Sequence, residues 1–175
     1  SGPIESDHDW DTYTRDQLDL MTHLGFERFA VVGMCIGGPY ILNLLKLAPQ
    51  RVVASVVMQT IGRDNNRQEF LAMFDGWADQ LHQSDPQRYG SEAMLGLRRR
   101  MFENDLTFMC MTESQVQELD APMLILDGAD TYHPAASSQR LAELQPQAER
   151  IHEWKLPPEL EVAADRVLGF FRDHL

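Results

Sequence analysis

Residues 31–38, Val-Val-Gly-Met-Cys-Ile-Gly-Gly, constrain this chain more than any other stretch. The apolar, β-branched run at 29–32 suits a strand buried on both faces. Gly33, Gly37 and Gly38 remove side chains where the backbone must turn sharply and the next helix must pack close to the strand. One reactive group, the Cys35 thiol, sits between those glycines. A strand-to-helix turn lifts that side chain out of the sheet. It also aims the first helical N–H groups, beginning with Ile36, at any negative charge developing on a bound carbonyl. The same helix end is expected to favour thiolate over thiol. A cysteine after a strand can also be a small buried hydrophobe, so the flanking chain has to decide.

The flanking chain is regular. Residues 1–10 are polar and read as a loop with His8 solvated, and Trp10 and Tyr13 anchor the first helix. Thr12 or Thr14 can cap that helix, which carries Leu18, Met21 and Leu24 and is stopped by Gly25. After the glycine turn, Ile41, Leu42, Leu44, Leu45 and Leu47 nearly encircle a helix, so it should be deeply buried. Residues 51–60 are a second apolar strand, and this spacing makes a right-handed βαβ unit with parallel strands.

Between residues 62 and 119 only helical periodicity is found, in Phe70, Phe74, Trp77 and Leu81 and again in Met94, Leu97 and Met101. This span is expected to be a helical cap inserted in a single domain covering 1–175. Arg98–Arg100 reads as a solvated helix face. The parallel pattern then resumes with a strand at 121–127, a loop at 128–134 and a helix at 135–144 with Pro134 at its start. A fourth strand comes at 148–154, then a closing helix at 160–175 with Val162, Val167, Leu168, Phe170 and Phe171 inward.

The net charge of −12, from 15 basic and 27 acidic residues, argues against nucleic acid or an anionic membrane surface as partner. No apolar run approaches the ~20 residues needed to span a bilayer, and the opening residues lack signal-peptide character. Two cysteines, Cys35 and Cys110, cannot make a disulfide framework, and a free thiol needs a reducing compartment, which points to the cytoplasm. The six histidines are scattered without metal-ligand spacing, and neither a P-loop nor a G-x-G-x-x-G fingerprint is present. No metal or cofactor is expected.

The ordered series from Trp10 onward, with the elbow Gly33-Met34-Cys35-Ile36-Gly37-Gly38 and the stretch Pro122-Met123-Leu124-Ile125-Leu126-Asp127-Gly128-Ala129-Asp130, resembles the α/β-hydrolase superfamily. Its cysteine variant is similar to the dienelactone hydrolases. The resemblance implies a partial α/β-hydrolase fold, a parallel sheet flanked by helices with a helical cap. It implies a hydrolase or acyl transferase of a small-molecule ester, lactone or thioester. Cys35 matches the nucleophile, and Ile36, with Met34 and Gly37 beside it, matches the oxyanion and substrate-binding turn. Asp130 matches the acid that supports the general base, with Asp127 and Asp64 as rivals.

Two departures stand out. The superfamily's histidine is expected past Trp154, where the chain reads Lys155-Leu156-Pro157-Pro158. His133 is nearer the acid and is the candidate base, although it also reads as a loop histidine bonded near a helix start. His152 should point into a sheet face. Secondly, only four strands can be counted, so the elbow strand would form an unpaired apolar edge. A second polypeptide or an N-terminal fragment would have to complete the sheet. These departures support a reading of another class: a catalytically inactive chain that serves as a binding or structural partner.

Overall fold

The computed structural model describes residues 4, 5 and 7–175. The opening loop and its polar start are therefore described only in part, since residues 1–3 and 6 lie outside the described residues. Among the described residues seven helices and four strands run in the order α1 (Trp10–His23), β1 (Phe29–Cys35), α2 (Gly37–Leu47), β2 (Val52–Thr60), α3 (Arg67–Ser84), α4 (Ser91–Phe102), α5 (Glu113–Gln117), β3 (Met123–Leu126), α6 (Ala135–Leu144), β4 (Glu149–Ile151) and α7 (Glu159–His174). The strands form one sheet in the order β1-β2-β3-β4, every neighbour parallel, as the sequence pattern requires.

α1 begins at Trp10 because Asp9, not Thr12 or Thr14, caps it. Asp9 accepts from the Thr12 N–H at 2.9 Å and the Thr12 side chain reaches back to the Asp9 N–H. Thr14 is instead buried, donating its hydroxyl to the Trp10 carbonyl at 2.7 Å. Gly25 stops the helix with φ +79. Arg51 closes the corner into β1 by donating to the carbonyls of Leu18, Phe26 and Glu27. α2 is the buried helix, and its Asn43 is wholly enclosed, donating to Asp11 Oδ1 at 2.9 Å and Thr14 Oγ1 at 3.0 Å. That bond pair fixes α1 against α2.

Three apolar clusters support the site. One joins α2 to the sheet through Ile41, Leu42, Val57 and Ile125, and includes Phe108, Met111 and Val116 from the segment after α4. A second packs Phe74, Met94, Leu97, Met101 and Phe102 of α3 and α4 around Trp10. The indole of Trp10 donates to the Met101 carbonyl at 3.3 Å. Arg98 is not merely solvated: it pairs with Asp75 at 2.7 Å and with Glu103, tying α4 to α3. The third cluster sets Ala163 and Phe170 of α7 against Val56 and Leu124. Val162 and Leu168 of the same helix face outward, because the inward stripe runs through Ala163, Val167 and Phe170.

β1 is an edge strand. Val32 and Met34 are 55% and 53% exposed, so it is not buried on both faces. The β-branched composition at 29–32 reports strand formation. The face that carries Val32 and Met34 stays largely open, and among the described residues no strand pairs with the outer edge of β1.

Candidate active site

β1 ends at Cys35, whose φ of +60 places a non-glycine residue in left-handed backbone. Such a conformation costs about 1–3 kcal/mol and persists only where surrounding contacts enforce it. Here the enforcement is visible. A Cβ on Gly33 would lie 2.9 Å from the Gly37 carbonyl oxygen, and one on Gly38 would overlap Thr60 Oγ1. The Ile61 N–H donates to the Cys35 carbonyl at 3.2 Å from the β2 side. Gly37 differs from expectation. A Cβ there would meet nothing within 4 Å, and it is the Gly37 backbone that Gly33 must clear. The turn therefore presents the Cys35 side chain at the C-terminal edge of the sheet, with Ile36 opening α2.

The Cys35 thiol is half-buried. Burial pushes its pKa above the ordinary thiol value. The Ile36 N–H bonded to it acts in the opposite sense, and the Asp130 carboxylate adds to the rise. The expected stabilisation of thiolate by the helix end is thus outweighed, because one N–H dipole competes with loss of solvent and a nearby negative charge. Asp130 and Cys35, 95 residues apart in sequence, are electrostatic neighbours.

The acid loop is tightly wound. The Asp130 N–H donates to the His133 carbonyl at 3.2 Å, and Asp130 Oδ1 accepts from the N–H groups of Tyr132 at 3.0 Å and His133 at 2.9 Å. A Cβ on Gly128 would overlap the His133 carbonyl oxygen, so the loop closes only over glycine. His133 Nδ1 lies 2.8 Å from Oδ1 and 2.9 Å from Oδ2 of Asp130. Its Nε2 is buried without a hydrogen-bond partner. Burial raises the Asp130 pKa, but the bonds from His133 and Tyr132 outweigh it and hold the carboxyl below its ordinary value. Buried Asn66 pins the loop from the β2 side, donating from Nδ2 to the Gly62 carbonyl at 3.0 Å and the Thr131 carbonyl at 2.8 Å. Sequence reasoning misses Asn66, for which its place after β2 is the only available signal.

The rival acids are placed otherwise. Asp127 is gripped by Arg150 through Nε and Nη2, both at 2.8 Å, and by His152 Nδ1 at 2.9 Å. Its carbonyl accepts from the Trp154 indole at 2.7 Å. Its carboxylate oxygens are thus committed to holding β3 and β4 together. His152 does not point into a sheet face: its side chain is 68% exposed, and pairing with Asp127 at the strand ends draws it out. Asp64 is exposed beside Asn66.

A cavity of about 730 Å³ lies over the elbow, lined by Ile36 and Tyr40 of the turn and α2 and by Met73, Phe74, Trp77 and Met101 of α3 and α4, among others. Cys35 packs against the same α3–α4 cluster. His8 belongs to the cavity wall rather than to solvent, with Nδ1 3.4 Å from the Tyr13 hydroxyl. Met34 projects from the exposed edge of β1 and is not in that wall. Among the described residues no group of three or more His, Cys, Asp or Glu side chains could hold a metal ion.

No protein-family model matches the chain. Solved structures do. MGS-M2, an α/β hydrolase enzyme from a Medee basin deep-sea metagenome library, superposes with a TM-score of 0.69 at 16% identity, over 96% of this chain and 74% of its own. The putative non-heme bromoperoxidase BpoC of Mycobacterium tuberculosis H37Rv gives 0.65 at 20% identity, over 96% and 75%. Est816, described as an N-acyl homoserine lactone degrading enzyme, gives 0.65 at 17% identity, over 97% and 77%. The chain therefore has the α/β-hydrolase fold and spans about three quarters of the length of these proteins.

Proposed function

We propose that this chain is a thiol-dependent hydrolase or acyl transferase acting on an ester, lactone or thioester with an apolar acyl group. The observation that carries the reading is Cys35 held in left-handed backbone, packed against the α3–α4 cluster next to Ile36 of the cavity wall, with the Asp130 charge acting on it. The cavity wall of Ile36, Tyr40, Phe74 and Trp77 suits an apolar acyl chain.

A thiol whose pKa is raised does not ionise unaided at neutral pH, so the chemistry needs a base. His133 is suited to it. With Nδ1–H donating to Asp130, Nε2 is the free acceptor, and Asp130 stabilises the imidazolium that forms. In this scheme the Cys35 sulfur attacks the acyl carbonyl carbon as its proton passes to His133 Nε2. The Ile36 N–H, with the adjoining turn at Gly37, steadies the oxyanion. The leaving oxygen or sulfur takes the proton from His133, and a thioester remains. Water, or an acceptor alcohol or thiol, then attacks that thioester while giving its proton to His133, and Cys35 is released as thiol. A free-thiol nucleophile requires a reducing compartment, consistent with a cytosolic setting. Among the described residues no helix is long and apolar enough to cross a membrane.

The test is turnover of a series of p-nitrophenyl esters by purified protein and by Cys35→Ala and Cys110→Ala. Loss in the first variant and retention in the second supports the reading. Full activity in both contradicts it.

A second reading has its own observation. The open β1 edge, with Val32 and Met34 exposed, suits pairing with a strand of another polypeptide or of an N-terminal fragment. On that reading the chain is a binding or structural partner, and any catalysis awaits completion of the sheet.

A further inference from the structure

The wall of the 730 Å³ cavity is apolar along α3 and α4, where Phe74, Trp77, Leu97 and Met101 line it. The part contributed by α1, α2 and the segment before α1 is different, because His8, Tyr13, Asp16 and Tyr40 bring polar atoms to it. Tyr40 is the unusual member. Its ring is fixed by an edge contact with Trp10, centroid to centroid 4.9 Å, and the Trp10 indole is itself tied to the Met101 carbonyl. Its hydroxyl makes no hydrogen bond among the described residues, and it is not sealed from contact as the Ser137 hydroxyl is. Burial raises the Tyr40 pKa well above the ordinary phenol value, and neighbouring Tyr13 adds to the rise. Tyr40 is therefore a neutral phenol at neutral pH, with a donor that no protein group takes.

Tyr13 is its complement. His8 Nδ1 accepts the Glu5 N–H at 3.3 Å, and a backbone N–H can only donate, so Nδ1 is the unprotonated ring nitrogen. The Tyr13 hydroxyl, 3.4 Å from the same nitrogen, then donates to it and keeps the acceptor capacity of its oxygen. Two neighbouring phenols thus border one cavity, the first with an uncommitted donor and the second with an uncommitted acceptor. A group that both accepts and donates satisfies the pair, and a hydroxyl is the smallest that does. The charges in the wall oppose an ionised head. Asp16, which acts on Tyr13, repels an anion there, and Arg88 in the same wall repels a cation.

We propose that Tyr40, with Tyr13 beside it, determines the specificity of the large cavity, selecting an uncharged, otherwise apolar acyl group that carries one hydroxyl. The apolar body lies along Phe74, Trp77 and Met101, and the hydroxyl accepts from Tyr40 and donates to Tyr13. A site built to bond a hydroxyl rejects the analogue that lacks it, because its own polar groups are then left unpaired. That the ligand is an acyl group rests on the acyl-transfer reading; the preference for a hydroxyl does not, since it involves neither Cys35 nor His133.

Binding of benzyl alcohol and of toluene to the intact chain, followed by tryptophan fluorescence, tests this without any turnover, since Trp77 lines the cavity and Trp10 touches Tyr40. The wild type is expected to bind benzyl alcohol about tenfold more tightly than toluene, and Tyr40→Phe to reverse the order. That variant deletes one unbonded hydroxyl and keeps the ring against Trp10, so it is expected to fold as the wild type does. Tyr132→Phe, outside this cavity, is expected to keep the wild-type preference. A second arm compares kcat/KM for p-nitrophenyl 4-(hydroxymethyl)benzoate and 4-methylbenzoate, where the same preference and the same reversal are expected. If neither ester is turned over while the binding preference holds, the acyl-transfer reading fails and the hydroxyl-selective site stands. No saturable binding of benzyl alcohol, tighter binding of toluene by the wild type, or an unchanged preference in Tyr40→Phe would overturn the proposal.

Discussion

His133 Nδ1 lies 2.8 Å from Asp130 Oδ1 while its Nε2 is buried with no partner, so one ring edge of this histidine is anchored and the other is unclaimed. A neutral imidazole anchored in this way has a fixed tautomer, with the free nitrogen as proton acceptor. His133→Ala is expected to lower ester turnover about 10²- to 10⁴-fold while leaving the fold intact, as kcat against KM for a p-nitrophenyl ester would measure. A loss confined to KM would assign His133 to binding instead.

Asp130 carries a pH signature. Its folded pKa lies below the ordinary carboxyl value, so the stabilisation it brings is present above that ordinary value and disappears as pH falls through the folded one. Asp130→Asn is therefore expected to lower the urea midpoint at pH 7 and to leave it little changed near pH 2. Urea unfolding of both proteins at the two pH values checks this.

The two thiols should separate by reactivity. Cys110 is pushed up to about 12 by burial, and Cys35 is half-buried and raised less. Iodoacetamide at pH 8 is expected to label Cys35 first, with a rate that still climbs above pH 9. The same burial has a stability consequence. An unfolded thiol ionises near ~8.5 while folded Cys110 holds its proton, so stability falls by up to about 1.4 kcal/mol per pH unit above that point. Cys110→Ala removes that part of the slope, as unfolding at pH 8 and pH 10 would reveal.

Asn43 holds α1 to α2 through Asp11 and Thr14. Asn43→Ala leaves the buried Thr14 hydroxyl and the Asp11 carboxylate short of a donor, at an expected cost of about 1–3 kcal/mol in chemical denaturation. An unchanged midpoint would mean that water replaces the amide.

The β1 edge is expected to associate. Val32 and Met34 present apolar surface beside unpaired strand backbone, so light scattering of the isolated chain should show concentration-dependent oligomers that Val32→Lys suppresses. A strictly monomeric wild type at high concentration would contradict this.

The βαβ core around the elbow is legible in the sequence because its determinants are local: an apolar strand, glycines 33 and 38 at the close contacts, and a helix apolar all round. The placement of Asp130 beside His133 is legible for the same reason, since a three-residue spacing in a loop needs no tertiary knowledge. The features that escape the sequence depend on distant partners. His152 turns outward because Asp127, 25 residues earlier, draws it there. The capping role falls to Asp9 because its carboxylate meets the Thr12 N–H directly, whereas Thr14 finds the Trp10 carbonyl. The raised Cys35 thiol reflects a balance between burial and a single N–H, and burial cannot be read from residue type. Arg63 and Ser137 are unremarkable in sequence. Only the fold shows that Arg63 Nε and Nη1 and the Ser137 hydroxyl are enclosed without hydrogen-bond partners.

The central claim is that Cys35 becomes acylated. Intact-protein mass spectrometry of samples quenched in acid during turnover of p-nitrophenyl butyrate tests it most directly. A butyryl adduct is expected that maps to Cys35, persists in Cys110→Ala and is absent from Cys35→Ala. Ester turnover by the wild type with no adduct, and undiminished turnover by Cys35→Ala, would contradict it.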